Sequence, residues 1–336
     1  MRLPAHHAER LRPVYEGTPV AVTGGAGFIG SHLVDALHAR GAHITVIDDL
    51  STSDLDHLGP LIELDPARLR FVHGSILEDA ALARALAGVT RVFHLAALNS
   101  VPRSLDDPER TWAVNATGTL RVVRAAQSVG ANRLVFAASS SAYGNTETLP
   151  KHEDMAPRPR SPYAAAKLAG EHLIASAAHT SDLDTAALRF FNVFGPRQRE
   201  DSPYAGVVPR FATRLLEGKS PVIQGDGEQT RDFTYVENAV LALMLAAAND
   251  APLNGEAFNV GCGERHSIRA LAELLTQELA PDAGPPTFTD ARAGDVRDSL
   301  ADLTRARERL GYEPFVDFEE GVRRAAAWYR EPIAAT

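Results

Sequence analysis

The sequence has one cysteine, Cys262, two tryptophans and three methionines among 336 residues, and fewer basic than acidic side chains. A single cysteine excludes an internal disulfide framework. The 34 basic and 43 acidic residues leave a net charge of −9, which repels nucleic acids and anionic membrane surfaces. We therefore expect neither a nucleic-acid nor a membrane partner.

Long apolar segments are lacking as well. The longest apolar run, Ala239 to Ala248, is about half as long as a membrane-spanning helix needs to be. Residues Met1 to Tyr15 carry His and Arg where a signal peptide would have an apolar centre. These features predict a soluble cytoplasmic protein. With 45% hydrophobic and 23% charged residues, the chain can bury a sizeable core in one large domain or two coupled ones.

Strand-length apolar runs alternate with stretches of helical periodicity, and this pattern indicates a doubly wound parallel α/β sheet of the Rossmann type. The predicted strands are Val20 to Thr23, His43 to Ile47, Leu69 to Val72, Arg91 to Leu95, Leu134 to Ala138 and Ala186 to Phe190. The predicted helices are Gly27 to Ala39, Ala80 to Leu86, Pro108 to Ser128 and Pro162 to Ala178. Open sheets of this kind bind ligands at the carboxyl edge of their strands.

Beyond Asn192 the chain is punctuated by Pro and Gly, which predicts a smaller C-terminal substrate-binding lobe. Val236 to Ala248 and Phe258 to Val260 have the pattern of a helix and a strand that return to the sheet. We therefore expect an arm at 1–17, a cofactor domain at 18–190 with 235–262, and a substrate lobe at 191–234 with 263–332.

A glycine-rich turn follows the first predicted strand and opens a helix. Gly24, Gly27 and Gly30 are spaced G-x-x-G-x-x-G, so the backbone amides and the positive helix end can face a pyrophosphate. The same glycines would also suit a tight turn without a ligand. The next strand ends at Asp48, where a carboxylate can accept the adenosine ribose hydroxyls. No Lys or Arg lies between Asp48 and Pro60, which favours NAD over NADP.

Tyr163, Lys167 and Ser139 indicate a site that could transfer protons. Tyr163 and Lys167 are spaced i, i+4 on a predicted helix, so Lys167 is expected to lower the pKa of the Tyr163 phenol. Ser139 ends the fifth strand and is expected to point into the same cleft, where its hydroxyl can bind a reacting oxygen. A surface Tyr and Lys, and a Ser that caps a turn, are the alternatives.

Together with further motifs, these residues resemble the extended short-chain dehydrogenase/reductases that act on nucleotide sugars, and most closely the bacterial UDP-N-acetylglucosamine 4-epimerases. The further motifs are His94 to Ala97, Ser100 to Ser104, Asn115 to Thr119, Ser139 to Gly144, Ser161 to Tyr163, Arg189 to Pro196, Gly225 to Gly227 and Arg231 to Phe233. They occur in the family's order between about Val20 and Tyr329.

The resemblance implies tightly held NAD, with Tyr163 as base, Lys167 on the nicotinamide ribose and Ser139 at the sugar oxygen. The cofactor residues that it implies are Gly24, Gly27, Phe28, Ile29, Gly30, Asp48, Asp49, Ser53, Ile76, Leu95, Ala96, Tyr163 and Lys167. The substrate residues that it implies are Ser100, Ser140, Ser141, Asn192, Val208, Gln224, Arg231, Arg292, Asp295 and Ser299. Asn192, Arg231 and Arg292 would meet the diphosphate, and Asp295 the uridine ribose. Gly74-Ser75-Ile76 departs from the family's Gly-Asp-Ile or Gly-Asp-Val, so one adenine contact is missing.

The family includes epimerases, 4,6-dehydratases and decarboxylases, which all begin by removing hydride from C4. Dehydratases and decarboxylases carry acidic side chains directly after the catalytic Ser or Thr, whereas this chain has Ser140 and Ser141. The pattern favours a 4-epimerase of UDP-GlcNAc and UDP-GalNAc, also active on UDP-Glc and UDP-Gal. A UDP-glucuronate 4-epimerase or decarboxylase, a nucleotide-sugar 4,6-dehydratase and a non-catalytic NAD-binding regulator remain as alternatives.

Three further expectations concern partners and specificity. The helices around Pro108 to Ser128 and Pro162 to Ala178 resemble a four-helix dimer interface, and Ala164, Ala165 and Ala166 would let helices approach closely. Ser299 corresponds to a position beside the sugar C2 substituent, where a small side chain leaves room for an N-acetyl group. The twelve histidines and one cysteine show no metal-ligand spacing, so no metal is expected.

Overall fold

A computed structural model describes residues 3–198, 206–290 and 296–331 of the chain. Its longer strands are β1 (Pro19–Thr23), β2 (His43–Asp48), β3 (Leu69–His73), β4 (Arg91–His94), β5 (Arg133–Ser139) and β6 (Asp184–Phe190). The shorter strands are β7 (Val193–Phe194), β8 (Val222–Gln224), β9 (Thr230–Arg231), β10 (Thr234–Tyr235), β11 (Ala257–Val260), β12 (His266–Ser267) and β13 (Thr287–Thr289).

Thirteen α-helices accompany these strands in the described ranges. Those of the first half are α1 (Ala5–Tyr15), α2 (Phe28–His38), α3 (Gly59–Leu64), α4 (Asp79–Leu86), α5 (Val101–Asp106), α6 (Pro108–Trp112) and α7 (Gly118–Ser128). The second half contains α8 (Pro162–Thr180), α9 (Val207–Leu216), α10 (Val236–Ala247), α11 (Ile268–Leu279), α12 (Thr304–Leu310) and α13 (Phe318–Arg330).

The central sheet has seven strands in the order β11-β6-β5-β4-β1-β2-β3, all parallel. The predicted doubly wound parallel sheet is confirmed, and the predicted returning strand is its seventh member, β11. The chain adds β2 and β3 on one side of β1 and then crosses to β4 on its other side, so the strand order reverses at β1. Because a crevice opens at the carboxyl ends of strands at such a switch point, this edge positions the ligand site.

Apolar side chains cover both faces of the sheet. On one face, buried residues of α1, α2 and α10 form one cluster with Val20, Val22 and Phe93. On the other face, α4, α7 and α8 supply a second cluster that includes Leu82, Val122 and Ile174. The strands are therefore sandwiched between two helical layers, as the near-continuous apolar strand sequences require.

A third apolar cluster lies outside the sheet and unites α9, α11 and α13 with the short strands. Ser267 and Asp317 cap α11 and α13 by accepting hydrogen bonds from backbone amides at the third helical position. This separate cluster agrees with a smaller lobe in the second half of the chain. The domain boundaries themselves stay a prediction.

The predicted arm at 1–17 includes helix α1, which lies against the main core. Leu11 and Tyr15 are fully buried, and the Tyr15 hydroxyl donates to the Met244 carbonyl of α10 at 2.7 Å. The described part of the arm is therefore a packed element of the fold. Within the described ranges, no helix combines the length and the apolar composition needed to cross a membrane.

The helical region predicted from Pro108 to Ser128 begins with α6, widens into a π-helical turn at Ala113–Thr117 and continues as α7. Helix α8 matches its prediction and extends to Thr180. The expectation for its alanines needs a correction, because Ala164 and Ala166 are buried inside the chain itself and only Ala165 is half-buried. Ala164 and Ala166 therefore pack within the subunit, and a role of Ala165 in a contact between subunits stays a prediction.

Candidate active site

A cavity of about 610 Å³ opens at the carboxyl edge of the sheet. Its walls run from the glycine turn after β1, past the ends of β2, β4 and β5, to Arg231 and Ser299 of the second lobe. All thirteen predicted cofactor residues line it, as does Ser139. The fold thus brings the predicted cofactor residues and Ser139, which are far apart in the sequence, to one cavity. The role of each residue stays a prediction.

The glycine turn depends on close backbone packing. Gly24 has a φ of +71°, and a Cβ there would lie 2.6 Å from the Ala96 nitrogen. At Gly30 a Cβ would overlap the Gly24 carbonyl oxygen. Gly27 is the N-cap of α2 and supplies no side-chain cap, so the amides at the start of this helix are left for a ligand. An anionic diphosphate fits such a helix end.

Asp48 lies at the end of β2, on the cavity wall. Its carboxylate accepts hydrogen bonds from the Ala26 amide at 3.1 Å, the Leu50 amide at 3.0 Å and the Ser53 hydroxyl at 3.1 Å. Burial raises the pKa of Asp48, and these donors act in the opposite direction. The carboxylate is held in one orientation and retains acceptor capacity for hydroxyl groups of a ligand.

Ser139 and Tyr163 meet at the other end of the cavity. The Ser139 oxygen accepts from the Ser141 amide at 3.2 Å and the Ser141 hydroxyl at 2.9 Å. The Ser139 side chain also acts to lower the pKa of the Tyr163 phenol. Tyr163 is the second residue of α8, after Pro162 and the N-cap Ser161, whose hydroxyl accepts from the Ala164 amide at 3.1 Å. Ser139, which caps the turn after β5, therefore also acts on the Tyr163 phenol.

Lys167 lies one helical turn after Tyr163 and is buried. Its Nζ donates to the Ala137 carbonyl of β5 at 2.8 Å and lies 4.8 Å from the centre of the Phe136 ring. Burial lowers the pKa of Lys167 to about 7, while the Glu171 carboxylate acts to raise it. The Lys167 amine is thus held against β5 at the cavity wall.

The expected effect of Lys167 on Tyr163 is corrected by this arrangement. Burial raises the pKa of Tyr163, and the group that lowers it is the Ser139 hydroxyl. Lys167 has no such effect here because its amine is directed at Ala137 and burial disfavours its charge. The i, i+4 spacing correctly predicted the shared helix face but not this electrostatic coupling.

The predicted substrate residues divide into three groups. Those that line the cavity are Ser140, Ser141, Asn192, Arg231 and Ser299. Those that lie outside its lining are Ser100, Val208 and Gln224. Arg292 and Asp295 fall outside the described residues, so nothing is said of their structure.

Each residue outside the lining has a local structural reason for its position. Ser100 caps α5 by accepting a hydrogen bond from the Arg103 amide at 3.1 Å. Val208 is buried in the apolar cluster of the second lobe. Gln224 is exposed at the end of β8, and its carbonyl accepts from the Gln229 side chain at 2.6 Å. The substrate role inferred for these three residues has no support from the cavity geometry.

The cavity carries positive charge although the chain as a whole is acidic. Six basic side chains line its described walls, against the three carboxylates of Asp48, Asp49 and Asp54. The basic residues are Arg103, Arg110, Lys151, Lys167, Arg197 and Arg231. Such a cavity suits an anionic ligand with several phosphates.

The sequence matches the family described as the NAD dependent epimerase/dehydratase family over residues 20–261. This match covers most of the chain. The chain belongs to the NAD-dependent epimerase/dehydratase family. Its cofactor is NAD, and the glycine turn, the open start of α2 and the Asp48 carboxylate fit this group.

Relatives in this family include proteins of more than one activity. The chain is 41% identical to a UDP-glucose 4-epimerase of Mycolicibacterium smegmatis, over 92% of this chain and 97% of the relative. It is 34% identical to a dTDP-glucose 4,6-dehydratase of Streptomyces griseus, over 94% of each chain. Among solved structures, a UDP-N-acetylglucosamine 4-epimerase of Methanobrevibacter ruminantium in complex with UDP-N-acetylmuramic acid superposes with a TM-score of 0.86 at 39% identity, covering 94% of this chain and 98% of that one.

Sequence reasoning about this epimerase/dehydratase missed several cavity residues. Arg103, Arg110, Lys151 and Arg197 line the cavity but were not predicted as site residues. Lys151 is 2% exposed, and its Nζ donates to the Thr146 carbonyl at 2.9 Å. An isolated Lys in a loop gives no sequence signal of burial. Arg197 directly follows the Gly195-Pro196 motif, and this adjacency was the available clue.

Asp48 offers a direct test of how this family member selects its cofactor. We expect Asp48→Ala to weaken NAD binding and to narrow the difference in affinity between NAD and NADP, because a carboxylate that accepts ribose hydroxyls also repels a 2′-phosphate. Calorimetric titration of both cofactors measures the two affinities. Asp54→Ala removes a neighbouring cavity carboxylate and serves as the control. Wild-type protein that co-purifies with NADP would contradict the assignment.

Proposed function

We propose that the protein is a UDP-sugar 4-epimerase that interconverts UDP-GlcNAc and UDP-GalNAc, and also acts on UDP-Glc and UDP-Gal. The observation that carries this proposal is the pairing of Ser139 with Tyr163 at the end of a cavity whose neighbouring positions are the uncharged Ser140 and Ser141. The reaction would pass through a 4-keto sugar that turns in the cleft and is reduced on its other face.

The side chains would divide the chemistry between them. Tyr163 would take the proton from the sugar 4-hydroxyl, and Ser139 would donate a hydrogen bond to the same oxygen as its negative charge develops. The two hydrogen bonds that Ser139 accepts from Ser141 leave its own hydroxyl hydrogen free to point at the phenol or the sugar. Lys167 would hold the ribose beside the nicotinamide. Bound NAD would supply the reversible hydride acceptor that this chemistry at C4 needs.

The second lobe would hold the nucleotide. Asn192 and Arg231 line the cavity on this side, and a guanidinium suits the fixed geometry of phosphate oxygens. Asn192 has a φ of +30°, which marks a constrained turn at the junction of the two lobes. Residues Arg292 and Asp295 complete this part of the proposal on the family resemblance alone.

The choice of epimerisation over elimination rests on what surrounds Ser139. Abstraction of a proton at C5 and loss of a group at C6 need a positioned acid or base. Among the described cavity residues, the carboxylates belong to Asp48, Asp49 and Asp54, which lie at or after the end of β2. The described walls near Ser139 therefore favour a reaction that needs only one base.

Product analysis with several nucleotide sugars tests the proposal. We expect purified protein to convert UDP-GlcNAc, and more slowly UDP-Glc, to a mixture with the 4-epimer, without net production of NADH. Incubation with UDP-GlcA, with detection of carbon dioxide, tests for the decarboxylase. A 4-keto-6-deoxy sugar from a dTDP- or UDP-hexose would indicate the dehydratase instead. Bound NAD that is never reduced by any of these sugars would indicate the non-catalytic regulator.

We also propose a homodimer formed through α5, α6 and their neighbours on α7 and α8. Leu105 and Trp112 on two of these short helices are 63% and 51% exposed, and Val101 is 40% exposed. Exposed apolar side chains on adjacent helices mark an interaction surface. Continuity with the four-helix contact inferred from the family supports a second copy of this chain as the occupant.

Light scattering tests the dimer. We expect a mass of about twice 36.1 kDa at micromolar concentration. Trp112→Glu should give the monomer mass, because it places a charge in the apolar contact. Phe288→Glu is a matched control, since Phe288 is exposed on the second lobe. A monomeric wild-type protein, or a dimer unaffected by Trp112→Glu, would contradict the proposed interface.

A further inference from the structure

A short segment connects the second lobe to the first helix after the glycine turn. Gly195, Pro196 and Arg197 leave β7 and reach α2. Gly195 has a φ of +150° and Arg197 a φ of +66°. A left-handed conformation is uncommon for Arg, so the surrounding contacts must hold this residue in place.

Two side chains of α2 make these contacts. Asp35 Oδ2 accepts from Arg197 Nη2 at 2.7 Å, and both side chains are largely buried. His32 Nε2 lies 3.0 Å from the Pro196 carbonyl oxygen. Burial lowers the pKa of His32 to about 3, so the ring is neutral, and Nε2 carries the hydrogen because the carbonyl can only accept. The segment is therefore attached to α2 at two consecutive residues.

One nitrogen of Arg197 has no partner. Its Nη1 is buried and makes no hydrogen bond, although Arg197 lines the main cavity. Asp35 accounts for the Nη2 nitrogen only. An unpaired N–H of a buried guanidinium is costly unless a ligand supplies the acceptor. The same cavity contains the start of α2, where an anionic diphosphate fits.

We propose that Arg197 binds the diphosphate of NAD and, with Asp35 and His32, forms a clasp that retains the cofactor between α2 and the second lobe. The clasp is defined by residues 195–197, His32 and Asp35. Asp35 fixes the planar guanidinium of Arg197, a residue of the cavity wall, and a planar guanidinium suits the geometry of phosphate oxygens. This inference depends on NAD as cofactor and does not depend on which sugar is the substrate.

The rate of NAD release from the holoprotein tests the clasp. We expect Arg197→Gln to raise the dissociation rate of bound NAD by about 10- to 100-fold, in the range expected for loss of a charge-assisted bond to phosphate. Release is followed by rapid desalting and quantitation of the cofactor that remains bound. Arg84→Gln, which removes an exposed arginine on α4, is the matched control and should leave the rate within about twofold.

A second pair of measurements separates binding from a purely structural role. Asp35→Asn leaves the guanidinium in the cavity and should raise the release rate several-fold less than Arg197→Gln. The ³¹P spectrum of bound NAD should change in Arg197→Gln, whereas loss of a distant loop contact would not move it. Equal release rates in Asp35→Asn and Arg197→Gln, or an unchanged ³¹P spectrum, would overturn the proposal. Should Arg197→Gln fold poorly, Arg197→Lys keeps a cation and is expected to show an intermediate rate and an altered ³¹P spectrum.

Discussion

Replacement of Tyr163 by Phe is expected to lower kcat by about 10²- to 10⁴-fold, the usual contribution of a positioned acid or base. The ring of Tyr163 is 8% exposed and would still pack in the Phe variant, so the fold and the bound NAD should be retained. The loss is specific to the phenol oxygen, whose pKa the Ser139 side chain acts to lower. Initial rates with UDP-GlcNAc, with the NAD content of the same samples, give both quantities.

Tyr143 provides the control for this experiment. Its hydroxyl donates to Asn259 at 2.6 Å, and its ring is buried outside the cavity lining. Tyr143→Phe therefore removes an equivalent buried hydroxyl without touching the proposed reaction centre, and activity should fall far less. Activity of Tyr163→Phe within about tenfold of wild type, a change of only about 1.4 kcal/mol in the barrier, would show that another group is the base.

Replacement of Ser299 by Tyr is expected to lower kcat/KM for UDP-GlcNAc by about 100-fold while kcat/KM for UDP-Glc stays within about tenfold, because the ring would overlap an N-acetyl group. Ser299 lines the cavity and is 7% exposed, and its amide donates to the Thr230 carbonyl at 3.1 Å. Because this hydrogen bond holds the backbone of residue 299 in place, we expect the larger side chain to extend into the cavity. Competition between the two sugars in one reaction measures the ratio directly.

Ser299→Ala serves as the size-matched control. It removes the hydroxyl without adding volume, so the ratio between the two sugars should stay close to that of wild type. Retained turnover of UDP-Glc by Ser299→Tyr shows that the variant is folded. An unchanged ratio in Ser299→Tyr would mean that this residue does not limit the space beside C2, and the preference for N-acetylated sugars would lose its main support.

The central sheet was predictable because its strands are apolar on both faces and are separated by helices with clear ends. The start of α8 shows how local this information is, since Ser161 caps the helix and Pro162 occupies its first turn. The π-helical turn at Ala113–Thr117 was not predictable, because residues 113–117 contain neither Pro nor Gly to mark it. Its position depends on packing between distant elements.

The place of a candidate site residue was predictable where that residue ends a strand of the parallel sheet. Asp48 ends β2 and Ser139 ends β5, two strands of one parallel sheet, so both had to lie at its carboxyl edge. The charge state of Lys167 was not accessible in this way, because its partner Ala137 comes from another strand and its burial from the whole assembly. Arg197 is similar, since its partner Asp35 lies 162 positions earlier in the chain.

The most direct test of the account uses UDP-GlcNAc that carries deuterium at C4 of the sugar. We predict that the product is UDP-GalNAc with the deuterium still at C4, because hydride removal and return both occur at that carbon. Mass spectrometry and NMR of the product read the position of the label. Deuterium found at C6, deuterium lost to solvent, or a labelled sugar recovered without epimerisation would contradict the account.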